Sequence, residues 1–248
     1  MLSNQEFFDE LSTQYDSMIP FEKAIELKKK TFKNLLKGSY TTIADIGCGT
    51  GSDSIALAEM GYKVKSFDPS FQMLEKAKLN AKNRGLALDS YQFGTSQIPD
   101  DFNGKFDIVI SIGNTFANIE RESFQSSIKK CYDLLNEQGS LFIQVLNYKL
   151  IIKEKKRIVN ITESEKHFFI RFYDFEKDKI NFNILKFSKA NPKENNLITT
   201  SVIPYIAIDF NNSLLKTGFN SVKIYSDFNK NEFNEENSKD LFIEAVKN

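Results

Sequence analysis

The sequence predicts an α/β fold: a mostly parallel, seven-stranded sheet flanked by helices, with an antiparallel β insertion after the fifth strand. Three observations carry that prediction. Short apolar runs and helix-period segments alternate from residue 41 to residue 146, the pattern of a parallel sheet with right-handed crossovers. A glycine-rich stretch, Gly47-Cys48-Gly49-Thr50-Gly51, stands where the first apolar run gives way to a helix. From about residue 150 to 206 the rhythm breaks into Lys-rich, two-residue alternation, which suits antiparallel strands with one face toward solvent.

Residues 5–37 read as two helices. Phe7, Phe8 and Leu11 fall at helical spacing, and a second run carries Ala24, Leu27, Phe32, Leu35 and Leu36. Pro20 marks a break or a first helical turn between them, and Gly38 reads as a C-cap. A strand over 41–46 enters the glycine stretch. A helix over 52–60 follows and is stopped by Gly61. A second strand spans 63–68, and a helix over 70–84 is stopped by Gly85. A third strand covers 90–93. The fourth, 106–112, is apolar at consecutive positions, as a strand buried on both faces should be. A helix over 120–136, closed by Gly139, leads to the fifth strand at 141–146.

Within the insertion, β-like runs at 168–173 and 180–187 flank Asp178-Lys179 as a hairpin would, and 191–196 reads as a loop. A helix at 209–216 ends at Gly218, and strands follow near 221–226 and 241–246. The expectation is a single domain over 1–248: a helical cap (1–37), a core (38–147), the insertion (150–206), and a closing helix with its strands (207–248).

Composition narrows the function classes. The 248 residues hold 33 basic and 33 acidic side chains. Zero net charge argues against a broad electrostatic grip on nucleic acid or anionic membrane. No apolar run approaches the roughly 18–20 residues that span a bilayer, and the acidic N-terminus lacks a signal-peptide pattern, so a cytoplasmic protein is expected. Cys48 and Cys131 make no C-x-x-C, and His167 is the single histidine, so no disulfide framework and no metal centre are expected. A Ser-His-Asp triad would need His167, and no G-x-S-x-G accompanies it. Only four basic residues are arginines, Arg84, Arg121, Arg157 and Arg171.

The strongest motif is Asp45-Ile46-Gly47-Cys48-Gly49-Thr50-Gly51. Glycines at a strand-to-helix turn let the chain bend sharply and let a ligand lie against bare backbone. The dinucleotide fingerprint is G-x-G-x-x-G, whose third glycine would fall at Ser52. Here the spacing is G-x-G-x-G. Asp68 ends the second strand, where a carboxylate can accept both hydroxyls of a ribose. Asp45 adds negative charge beside the loop, awkward for a pyrophosphate and comfortable for an ammonium or sulfonium.

With these residues in view, 41–146 resembles the core of class I S-adenosylmethionine-dependent methyltransferases, a Rossmann-like fold. Gly49-Thr50-Gly51-Ser52-Asp53-Ser54-Ile55, Gly113-Asn114-Thr115-Phe116-Ala117 and Asn147-Tyr148 resemble the glycine N-methyltransferase group more closely. The resemblance implies S-adenosylmethionine as cofactor. Asp45, Gly47, Cys48, Gly49 and Gly51 would wrap its methionine part, with Asp68 and Pro69 at the ribose and Met73 near the adenine. Many family members place an acidic residue after the third strand. Gly94 stands there in this chain, so Thr95, Ser96 and Gln97 would read the adenine instead. Ser111, Gly113 and Asn114 would lie beside the sulfonium, and Tyr15 would cover the cofactor.

The resemblance further implies methyl transfer to a small molecule at an amine nitrogen. Asn147 and Tyr148 are the expected catalytic residues, an amide and a phenol offered to the acceptor. Asn114, Asn147 and Arg171 are the expected acceptor contacts, with Arg171 able to grip a carboxylate bidentately. The insertion is expected to close the acceptor pocket. Nucleic-acid amino-methyltransferases carry [DN]-P-P-[YF] after the fourth strand, where this chain has Ser111-Ile112-Gly113-Asn114. No cysteine lies there for cytosine C5 chemistry, so nucleic acid is a disfavoured partner. The alternatives are a cofactor-binding regulatory module without turnover, and a protein or RNA methyltransferase. Oligomeric state is not legible.

Overall fold

The computed structural model describes residues 2–18 and 21–247; Pro20, read as a helix break, lies outside them. Helices α1 (Asn4–Met18) and α2 (Phe21–Leu35) precede the core. The core runs β1 (Thr42–Ile46), α3 (Ser52–Glu59), β2 (Lys63–Phe67), α4 (Phe71–Asn83), β3 (Asp89–Tyr91), β4 (Phe106–Ser111), α5 (Arg121–Leu134) and β5 (Leu135–Leu146). After the insertion come α7 (Ala207–Thr217), β10 (Ser221–Tyr225) and β11 (Asp240–Val246). Seven strands form one sheet in the order β10-β11-β5-β4-β1-β2-β3. β11 is antiparallel to both neighbours, and the other core pairings are parallel. The mostly parallel α/β sheet expected from the sequence is therefore present.

Strand residues alternate between two apolar layers. Ala44, Ile46, Val109 and Ile143 pack with Ile128 and Leu134 of α5 and Phe210 and Leu214 of α7. Ile43, Ile108, Ile110 and Phe142 pack against Ile25 and Phe32 of α2, Ile55 of α3 and Ala81 of α4. Each fully buried Ile or Phe stabilises the fold by about 1.5–3 kcal/mol relative to exposure. That burial on both faces explains why β1 and β4 place apolar residues at consecutive positions, Ile43-Ala44 and Ile108-Val109-Ile110.

Two expected boundaries move. α2 ends at Leu35, and Gly38 is not left-handed, so it caps nothing in the expected way. α5 stops at Leu134 and β5 begins at once, so Gly139 lies within the strand. Gln138, with φ 64°, takes the left-handed turn there.

The insertion holds a four-stranded antiparallel sheet, β6 (Ile158–Glu163), β7 (His167–Phe175), β8 (Ile180–Ser188) and β9 (Asn195–Val202). The expected loop at 191–196 gives up its last two residues to β9. A short helix, α6 (Tyr148–Glu154), precedes this second sheet where the sequence reading saw only a polar stretch. The inner face of the second sheet lies on α1: Phe169, Ile184 and Ile198 share a cluster with Phe7 and Leu11 of α1 and Met73 of α4. Polar ties fix α1 in place. Asn4 Nδ2 donates to the Asn118 carbonyl at 2.8 Å, Thr200 Oγ1 donates to Asn4 Oδ1, and Ser70 Oγ donates to Asp9 Oδ1. α1 is thus interposed between the insertion and the carboxyl edge of the main sheet.

Candidate active site

In an open α/β sheet the ligand crevice lies beyond the carboxyl ends of the strands, where strand order reverses. Here that point lies between β1 and β4. A cavity of about 460 Å³ opens there. Its floor is the glycine loop after β1, Asp68 and Pro69 after β2, the 3₁₀ turn Thr95–Gln97 after β3, and Ile112 and Gly113 after β4. Its cover comes from α1, through Asn4, Gln5, Phe8, Tyr15 and Asp16, and from Phe21, Ala24 and Lys28 of α2.

The glycines of the loop do three different things. Gly47 has φ +72°, and a Cβ there would stand 2.3 Å from Thr115 Cγ2, so its bareness admits the Thr115 side chain. Gly51 has φ +86° and heads α3; its Cβ would lie 3.0 Å from Ala77 Cβ, so it admits α4. Gly49 has φ +53°, with no atom within 4 Å of a Cβ position. Gly113, φ +80°, is likewise open. Gly49 and Gly113 both line the cavity, so their open sides form a cradle of bare backbone.

Asp68 is the polar centre of the floor. Its Oδ2 accepts the Gly49 N–H and its Oδ1 the Ser70 N–H, each at 2.9 Å. Burial pushes its carboxyl up to about 6, opposed by those two hydrogen bonds. Asp45 lies beneath the loop, 2% exposed, and does not line the cavity. Ser54 Oγ donates to Asp45 Oδ2 and Ser66 Oγ to Ser54 Oγ. Burial, with the nearby Asp53 charge, pushes the Asp45 carboxyl up to about 7. Cys48 lines the cavity, but burial raises its thiol well above the usual range, so it is no thiolate.

Of the expected cofactor residues, Tyr15, Gly47, Cys48, Gly49, Asp68, Pro69, Met73, Thr95, Ser96, Gln97 and Gly113 line one cavity. Asp45, Gly51, Ser111 and Asn114 stand behind its wall. Ser111 Oγ donates to the Ile46 carbonyl, tying β4 to β1. Asn114 donates through Nδ2 to Tyr148 Oη at 2.7 Å and accepts the Leu146 N–H at 3.0 Å.

The expected acceptor residues are placed differently. Asn147 caps α6, accepting the Leu150 N–H, and its Nδ2 donates to the carbonyls of Glu235 and Ser238. Tyr148 is 1% exposed, and burial raises its phenol far above the usual range. Neither lines the cavity, because each is held in a neighbouring packing contact. No residue of the insertion lines it either, so the expected cover by 150–206 gives way to cover by α1 and α2. Arg171 does not line the cavity; its strand neighbour Phe169 shares a cluster with Tyr15, which is a wall residue. Asn4, Gln5, Asp16, Lys28 and Asn118 join the wall without a sequence signal of their own, and Asp53 of the 49–55 motif joins it as well. A helix that lies across a cavity is recognisable only once its packing direction is known.

The wall tests the expected cofactor. Among the described residues four carboxylates line the cavity, Asp16, Asp53, Asp68 and Glu120, against one cationic side chain, Lys28. Lys28 is already paired with Asp53. Asp16 Oδ2 accepts from Asn80 at 2.9 Å and pairs with Lys76 Nζ at 3.4 Å, while its buried Oδ1 has no hydrogen-bond partner. A net negative wall, a free carboxylate oxygen and a bare-backbone cradle fit a ligand with ammonium and sulfonium charges and ribose hydroxyls. They do not fit a pyrophosphate.

Comparison with known proteins agrees. Residues 43–139 match the family described as a methyltransferase domain. The match assigns a methyltransferase domain to those residues, and the fold of the whole chain is shared with solved S-adenosylmethionine-dependent methyltransferases. Glycine N-methyltransferases are among the sequence relatives. Glycine/sarcosine N-methyltransferase of Parasynechococcus marenigrum (strain WH8102) is 31% identical over 151 residues, 60% of this chain and 54% of the relative. Glycine/sarcosine/dimethylglycine N-methyltransferase of Actinopolyspora halophila is 26% identical over 247 residues, 94% of this chain and 40% of the relative. The chain thus spans about half the length of the relatives it matches. A crystal structure of an S-adenosylmethionine-dependent methyltransferase from Clostridium acetobutylicum ATCC 824 superposes with a TM-score of 0.76 at 17% identity, covering 97% of this chain and 98% of that one. No helix among the described residues is long and apolar enough to cross a membrane.

Proposed function

We propose that this chain transfers a methyl group from S-adenosylmethionine to the amine nitrogen of a small molecule. The observation that carries the reading is the net negative cavity wall, four carboxylates with one ammonium among the described residues, around the Gly49 and Gly113 cradle. When bound, S-adenosylmethionine supplies a methyl carbon activated by its sulfonium. Asp68 holds the ribose hydroxyls, Gly47 to Gly49 face the methionine part, and Met73 with Thr95, Ser96 and Gln97 surrounds the adenine. Gly113 lets the sulfonium lie close to the end of β4. Asn114, Asn147 and Tyr148 act by holding the β4 loop and α6 in place.

A neutral amine brings its own lone pair, so the protein's task is alignment and exclusion of water. Tyr15 and Phe8 of α1 supply the dry cover. The names of the matched relatives support an amine acceptor, and the absence of a basic surface excess supports a small one. Arg171 is the residue to hold an acceptor carboxylate.

Incubation with methyl-labelled cofactor and panels of amines, amino acids, RNA and protein tests this. Label on a small-molecule nitrogen is the expected result. Cofactor binding without transfer to any panel would instead identify a regulatory module, and label on RNA or protein alone would reassign the acceptor.

A further inference from the structure

Strand β6 is inverted. In a sheet with one covered face, apolar residues turn inward and polar ones outward. β6 does the reverse: Ile158, Val159 and Ile161 are 52%, 40% and 59% exposed. Asn160 and Thr162 are turned inward, and their Oδ1 and Oγ1 atoms are buried without a hydrogen-bond partner. Residues directly opposite on paired strands share a face. Asn160 stands opposite Arg171 and Thr162 opposite Phe169. Phe169 is in the cluster that packs on α1, which fixes the inward side.

Arg171 is the third member. It lies between Phe169 and Tyr173 on the inner face of β7, both buried, and its Nε is also buried without a partner. The described residues contain five such orphaned atoms, and three of them are on this one patch. Most buried polar groups are hydrogen-bonded, and leaving one unpaired destabilises a fold by about 1–3 kcal/mol. The outward isoleucines face Ile170 and Phe172 across the ladder, but nothing in the fold satisfies the three polar groups turned inward. Their arrangement has a binding rationale.

We propose that Asn160, Thr162 and Arg171 form a polar niche for the far end of the methyl acceptor, and that the acceptor is an amino acid with a hydroxyl or amide side chain. This rests on the small-amine reading above. Arg171 offers an N–H donor and positive charge to a carboxylate. Asn160 Oδ1 accepts a hydrogen bond and Thr162 Oγ1 accepts or donates one. A ligand that satisfies all three carries an anionic acceptor and a neutral polar group together. Tyr15 links the niche to the cavity, since it lines the cavity wall and packs against the cluster that holds Phe169. The amine then lies on the cavity side of Tyr15, and the carboxylate and polar side chain lie beneath β6 and β7.

The test compares glycine, alanine, serine and asparagine in methyl transfer and in calorimetric binding with S-adenosylhomocysteine present. Serine or asparagine should exceed alanine at least tenfold in kcat/KM and in affinity. The near-isosteric N160L and T162V should bring that ratio toward one, acting mainly through KM. Both should melt no lower than the parent, because they remove orphaned polar groups. The niche is refuted if alanine equals serine and asparagine in the parent, or if the ratio survives in the melt-competent double variant. Those results would leave amine methylation standing. Failure to methylate any amine, with cofactor still bound, would instead remove the function on which the niche rests.

Discussion

Asp68 Oδ2 accepts the Gly49 N–H at 2.9 Å, so one carboxylate ties the end of β2 to the crest of the glycine loop. The same residue offers its remaining lone pairs to the cavity. Asp68→Asn keeps the side chain's size and removes half of its accepting capacity. Affinity for S-adenosylhomocysteine should fall roughly 5- to 150-fold, the equivalent of about 1–3 kcal/mol. Calorimetry on the folded variant reads this directly, and unchanged affinity would remove Asp68 from the ribose site.

The three loop glycines should separate in an alanine series. Each has positive φ, so each substitution is strained by about 1–2 kcal/mol. Gly49→Ala meets open space in the fold, so its further loss should appear in cofactor affinity. Gly47→Ala and Gly51→Ala meet Thr115 and Ala77, so their further loss should appear as a lower melting temperature. Thr115→Gly should partly rescue Gly47→Ala. Equal melting temperatures across the series would contradict these roles.

Asn147→Ala should destabilise the protein by about 2–4 kcal/mol, from a lost helix cap and two carbonyls left without their donor. Tyr148→Phe should lose less, about 1–3 kcal/mol, from the unpaired Asn114 amide. Urea denaturation measures both. A variant of Asn147 with parental stability and reduced turnover would return that residue to the acceptor.

Hydrogen exchange over α1 should slow when S-adenosylhomocysteine is added, because Asn4, Gln5, Phe8, Tyr15 and Asp16 line the cavity. Strands β7 and β8 should change much less, since none of their residues lines it. Protection confined to the insertion would contradict the α1 cover.

Stability should fall as pH rises from about 4 to 7 through Asp45. Its carboxyl, pushed up to about 7, keeps a proton that the unfolded chain releases near its ordinary value. The stabilisation is complete below that ordinary value and is lost as pH passes the folded one. Asp45→Asn still accepts from Ser54 and cannot titrate, so the decline in melting temperature over this window should flatten. A parallel pH profile in the variant would show that Asp45 is ionised throughout.

What the sequence by itself determined is the part written in neighbouring residues. The strand-to-helix turn, its glycines and Asp68 lie within 24 positions, from Asp45 to Asp68, and their dihedral and chemical demands are local. The parallel core was legible for the same reason, since β1 and β4 carry consecutive apolar residues, Ile43-Ala44 and Ile108-Val109-Ile110, buried on both faces. Asp16 and Lys28 carried no comparable signal, because their use depends on where α1 and α2 come to rest. Tertiary structure alone decided that α1 rather than the insertion covers the cavity, through Phe7 and Leu11 packing beneath the second sheet. It also decided that Asn147 is a cap, because its amide partners stand 88 and 91 residues further along the chain. The register that sets Asn160 against Arg171 belongs to the same category: alternation reveals which residues share a face, while only the folded pairing reveals which face is covered.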